Sequence, residues 1–165
     1  MTILRLPLLW ALWGVLTVLG QPAELSVLQG LGEVGVVVRG LSPDGAKLGL
    51  TETALVATVR GVLEPAGVRI IPPPMLERNP QSPVLEISAN LSLSGRTSYF
   101  FILDLQLRET VRPPRAHRTL KTIPVVTWAE QTAGVTAKAE SVQAALGRLA
   151  QRFADEWERA GAGRP

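Results

Sequence analysis

Cysteine is absent from all 165 residues, which excludes disulfides and thiolate metal sites. Histidine occurs once, at His117, so no pair of imidazoles can hold a metal, and no acidic spacing recurs to replace one. Charge of one sign is scarce as well. The formal net charge is +3, and removal of the first 20 residues takes away only Arg5, leaving 16 Lys and Arg against 14 Asp and Glu, or +2 over 145 residues. That balance is too weak to argue for nucleic acid. No internal repeat and no natural domain boundary is visible.

A targeting signal is present at the start. "MTILRLPLLWALWGVLTVLG" opens with one cation, Arg5, runs apolar from Leu6 to Leu19, and ends with Val18 and Gly20 where signal peptidase requires small or slender residues. The expectation is a secretory signal peptide over 1–20 with Gln21 as the new terminus. A retained anchor is the alternative, but the run of about 14 residues is shorter than the roughly 20 that span a bilayer as a helix. The chain is therefore read as exported, periplasmic or secreted, with no transmembrane segment after cleavage. Lipidation needs a cysteine where Gln21 stands, so the mature protein is expected to be unlipidated.

The remaining chain reads as one α+β domain over 21–160, with 161–165 as a disordered tail. "LGEVGVVVRGL" has the valine content of a strand, and "SPDGAKLG" has the chemistry of a turn. From Thr51, the residues Leu55, Val59, Val62 and Ala66 recur at helical spacing, with Thr51 as cap and Gly67 as stop. "VRII" is a short strand. The next twelve residues, "PPPMLERNPQSP", hold five prolines and are expected to form an extended surface loop.

A long hairpin follows. Leu85, Ile87, Ala89, Leu91 and Leu93 lie on one face of its first strand, and Tyr99, Phe101, Leu103, Leu105 and Leu107 on one face of its second. Both sets are odd-numbered, so they share a face only if opposed residues have an even sum, which a three-residue connection, Ser94-Gly95-Arg96, provides. "TLKTIPVVTWAEQ" is a further strand, placed by Pro124 at a sheet edge or beside a bulge. Ala139, Val142, Leu146, Leu149, Phe153 and Trp157 then mark a closing helix, with Thr136 as its expected cap. The predicted fold is a two-layer α+β sandwich, a mostly antiparallel sheet with two helices packed on one face.

The inventory for catalysis is thin. His117 sits among Arg112, Arg115, Arg118 and Lys121, four cations that disfavour its protonation and suit a general base, yet no serine or carboxylate beside it completes a nucleophilic set. Asp155, Glu156 and Glu158 near the end of the closing helix are read as a solvated face partly paired with Arg152 and Arg159. The glycines of "GLGEVGVVVRG" precede or interrupt a strand and do not form a phosphate cradle. No catalytic, cofactor-binding or metal-binding set is assigned, and a binding module is favoured over an enzyme. Two alternatives are retained, a small hydrolase using His117 and an anion or lipid-headgroup binder using Arg112, Arg115, Arg118 and Lys121.

If the odd residues of the hairpin meet the helices, then Glu86, Ser88, Asn90, Ser92, Ser98, Asp104, Gln106 and Arg108 face solvent. Phe100 and Ile102 stand among them. Two large apolar side chains together on the helix-free face point to contact with a partner, either another envelope protein or a second copy of the chain, with incidental exposure and burial beneath the proline-rich loop as the alternatives.

The carboxyl-terminal half, "TSYFFILDLQLRETV" with "VVTWAEQTAGV" and a closing helix ending "RFADEW", resembles uncharacterised small secreted bacterial proteins. Shared are a Trp in the last strand, a glycine-containing turn and an "F…W" closing helix, here Trp128, Gly134, Phe153 and Trp157. At fold level the chain is similar to small envelope-assembly domains, the amino-terminal domain of the Tol system propeller protein and the lipopolysaccharide-assembly lipoprotein. That resemblance implies a non-enzymatic binding or assembly role in the envelope, although the missing cysteine separates this chain from the lipoprotein.

Overall fold

The valine-rich run forms β1 (Glu33–Leu41), which turns Val34 and Val36 into the core and leaves Gly35 on the opposite face. The computed structural model describes residues 27–111 and 122–161. The expected signal peptide over 1–20, the expected tail from 162 on, and the candidate residues Arg112, Arg115, His117, Arg118 and Lys121 lie outside the described residues. Two short or medium helices follow, α1 (Pro43–Lys47) and α2 (Glu52–Leu63), then β2 (Arg69–Ile70), α3 (Pro73–Arg78), β3 (Val84–Ser94), β4 (Ser98–Val111), β5 (Ile123–Thr136) and α4 (Ala139–Arg159).

The five strands form one sheet in the order β2-β1-β3-β4-β5. β1 runs parallel to β2 and β3, while β3, β4 and β5 form an antiparallel meander with far more paired residues. A parallel pair cannot be closed by a tight turn, and α2 supplies the crossover from β1 to β2. α2 and α4 lie side by side on one face of the sheet. Leu55, Val59 and Leu63 from α2 and Val142, Leu146, Leu149 and Phe153 from α4 meet Leu85, Ile87, Leu103, Leu105 and Leu107 in a single core. The architecture is the α+β sandwich expected from the apolar patterns.

The hairpin register has the expected parity. Ser94 pairs with Ser98 and Leu85 with Leu107, a constant even sum that puts both odd-numbered sets on the helix face. The three-residue connection is displaced by one position from the expected one: it is Gly95-Arg96-Thr97, with Gly95 at φ 80°, a conformation that side chains with a Cβ rarely adopt. β5 is an edge strand, the position that tolerates the missing amide of Pro124, and it also contains a register shift at Thr127, opposite Leu107/Arg108.

Four local expectations are corrected. "SPDGAK" is a helical turn, because Ser42 accepts from the Gly45 amide (3.3 Å) and Pro43 occupies a first-turn position where no amide hydrogen is needed. Pro73 and Pro74 start α3 for the same reason, so the proline-rich segment is not wholly extended. α2 stops at Leu63, and Ala66 is exposed beyond it, since Pro65 lacks the amide that another turn requires. Thr136 ends β5 and accepts from the Lys138 amide (3.1 Å), while Lys138 caps α4 without a side-chain bond.

The α1 turn also pins the end of β3. Asp44 Oδ2 accepts from the Leu93 amide (3.1 Å), and Lys47 Nζ donates to Asp44 Oδ1 (2.9 Å). The Lys47 hydrogen bond first, and the Leu93 amide second, hold the Asp44 carboxyl below the usual carboxylate range.

Candidate interaction face

The face of the sheet opposite α2 and α4 can be read row by row from the register. Toward the hairpin turn, Ser92, Phe100 and Val135 lie across three strands, and the next row holds Asn90, Ile102 and Ala133. Phe100 is 40% exposed and Val135 64%, with Ala133 exposed and Ile102 half-buried between them. Phe100 and Ile102 therefore share a face and are extended sideways by Val135 and Ala133 into one apolar block. Among the described residues, the helix that reaches this face is α3, which sets Leu76 over Gly35, where an added Cβ would come within 2.5 Å of Leu76 Cδ2. That contact is on β1, two strands away from the block.

The middle of the face is polar. Asp104 Oδ1 accepts from its β5 partner Gln131 Nε2 at 2.6 Å. Glu86 departs from expectation: it is 7% exposed and does not face solvent freely. Arg39 Nε donates to its Oε1 at 2.7 Å, and Arg108 Nε donates to its Oε2 at 3.1 Å. An ionised carboxylate on a central strand is costly to bury alone, and two guanidiniums laid over it supply both charge and hydrogen bonds. Arg39 sits at an irregularity of the sheet, the extra residue of β1 between Val38 and Gly40, whereas Arg108 lies in the regular β3–β4 ladder, diagonal to Glu86. The bulge re-aims Arg39, and Arg108 stands on the same face by strand alternation, so the two reach one carboxylate from the strands on either side of β3.

Asp155 and Glu158 of α4 are exposed, as a solvated face requires, but the expected pairing of the α4 carboxylates with Arg152 and Arg159 is not formed. Arg152 Nη1 instead pairs with Glu130 of β5 at 2.7 Å, and Arg159 Nε donates to the Asp155 carbonyl at 3.2 Å. Glu156 accepts from Trp128 Nε1 at 2.8 Å, tying α4 to β5 beside the edge-to-face contact of Trp128 with Phe153. Trp128, Phe153 and Trp157, three of the residues that carry the resemblance, thus belong to one core cluster.

Phe100 and Ile102 were legible from strand alternation. Val135 and Ala133 were not, because the sequence alone did not give the register between β4 and β5. Alternation put Glu86 and Arg108 on one face, but Arg39 was missed because the sequence alone did not reveal the parallel register of β1 on β3, and an arginine in a valine run was its only local signal.

No family model matches the chain. Nor does any curated protein match. Among solved structures the chain is similar to the dodecamer of a single-substitution PelC variant from Paraburkholderia phytofirmans, at 14% identity and a TM-score of 0.44, covering 74% of this chain and 87% of that one. It is similar to a minor lipoprotein from Acinetobacter baumannii at 13% identity and a TM-score of 0.37, covering 78% and 95%. Lipoprotein GNA1162 from Neisseria meningitidis gives 13% identity and a TM-score of 0.36, covering 78% and 99%. These identities and scores are too low to assign the chain to any of the three.

Proposed function

We propose that the chain is an exported, non-enzymatic module of the bacterial cell envelope that binds another envelope component through the outer face of its sheet. The observation that carries the reading is the block of Phe100, Ile102, Ala133 and Val135 on the face that α2 and α4 leave uncovered. Scattered exposed apolar residues are ordinary on a folded surface, but a contiguous block at one end of a sheet face is the form that interface cores take. Its polar surroundings, Ser92, Asn90 and the Asp104–Gln131 pair, make a rim of the kind that limits where a partner seats. The amino-terminal segment supports export.

The test is replacement of Phe100 and Ile102 by serine in the full chain expressed in its host. Neither change touches the helix-side core, so the folded protein persists and its recovery in complex with an envelope component falls. Complexes recovered in unchanged yield would reduce the block to ordinary surface.

A further inference from the structure

We infer that the polar middle of the outer face is a binding site for a small oxyanion, a carboxylate or a phosphate, held by Arg39 and Arg108. Arg39, Glu86, Ser88, Asp104, Gln106 and Arg108 line an open depression of about 400 Å³. That volume falls in the range of small-molecule sites, and its openness suits an anionic group that is one end of a larger molecule.

The hydrogen-bonding capacity of the two arginines is only partly used. Each gives only its Nε to Glu86. Their Nη atoms make no hydrogen bond among the described residues. A guanidinium carries five N–H donors in a fixed planar fork, so two forks anchored at Nε leave eight donors on fixed planes beside one depression. Glu86 needs one positive charge for neutrality and has two. The fourth charge, Asp104, brings the sum of the four to zero, but it lies two rows from Arg108 along β4 with Oδ1 taken by Gln131, so it occupies neither fork and the positive potential is confined to the arginine end of the depression. The Ser88 hydroxyl and the Gln106 amide, on the floor between the arginines and Asp104, offer further hydrogen bonds to an oxyanion and to a hydroxyl or amine attached to it. The inference is independent of the Phe100 block, and either can fail alone.

The test uses two variants with opposite expected signs. Arg39→Gln removes a side chain that is 63% exposed, and Asp104→Asn removes a negative charge while keeping a carbonyl for Gln131. The full mature chain is titrated with inorganic phosphate and, separately, with acetate at fixed ionic strength, and the arginine Nε–H signals are followed by NMR. The wild type saturates at millimolar ligand, with shifts at Arg39 and Arg108 and not at Arg60, which pairs with Glu64 on α2. Arg39→Gln weakens binding about tenfold, as expected for loss of charge-assisted bonds, and Asp104→Asn tightens it several-fold. The ligand that saturates first tells phosphate from carboxylate. Shifts that stay linear for both ions, or that are equal in wild type and both variants, overturn the inference.

Discussion

Gly134 provides a substitution whose sign depends on the packing. It lies directly opposite Phe101 in the β4–β5 ladder, and Phe101 is 6% exposed. A Cβ at position 134 would stand 2.7 Å from Phe101 Cζ and 2.8 Å from Cε1, against an optimum of about 3.5–4.0 Å for carbon atoms. Gly134 is not among the glycines with positive φ, so alanine fits its backbone. By the unfolded-state argument alone, Gly134→Ala would stabilise by about 0.4–1 kcal/mol. The ring must move, however, and it is flanked on the other side by Leu91, its partner on β3, which is 6% exposed. Overpacking of this kind costs about 1–3 kcal/mol. The net expectation is a loss of about 1–2 kcal/mol, lowering the urea midpoint by roughly 0.5–1 M for a slope near 2 kcal/mol/M. Phe101→Leu removes the Cζ and Cε atoms that clash, and in that background Gly134→Ala becomes neutral or stabilising, a coupling that a double-mutant cycle reads directly. A stabilising Gly134→Ala in the wild-type background would refute the ring-over-glycine account.

Two further outcomes follow from the contacts at the sheet ends. Asp44 has a folded-state value below its unfolded one, so the stability it contributes is fully present above about pH 4 and is lost as pH falls through the lower folded value. Acid titration of the wild type against Asp44→Asn, followed by exchange of the Leu93 amide, shows that loss in the wild type and a flatter profile in the variant; parallel profiles would contradict it. Trp128→Phe removes the donor to Glu156 but keeps an aromatic ring against Phe153, costing about 1 kcal/mol since half-buried Glu156 regains water. An unchanged urea midpoint would mean the hydrogen bond contributes nothing.

Sequence periodicity revealed most of this fold because its elements are amphipathic in the plain sense. The odd-numbered leucines of the hairpin and the Val142-to-Trp157 stripe each had a single face that could be core, and parity then required an even register sum. Turn chemistry was less decisive, since Ser-Pro-Asp-Gly begins a helix as readily as it makes a turn, and only Leu50 and the strand ends around it settle which. The polar center of the outer face was hidden for a different reason. Arg39, Glu86 and Arg108 lie on three strands, separated by 47 and 22 residues in sequence, and Arg39 reaches the carboxylate from a bulge that alternation does not reveal. Phe100 was legible as an exception to alternation, whereas its neighbour Val135 required the β5 register.

The central claim, that the outer face is a contact surface, is tested most directly by photo-crosslinking in the native host. A photoreactive amino acid replaces Phe100 in one strain and Arg148, exposed on α4 of the opposite layer, in another. The account predicts one discrete adduct from position 100 that disappears when Ile102 is also changed to serine, and none from position 148. No adduct at 100, or the same adducts from both positions, would contradict it.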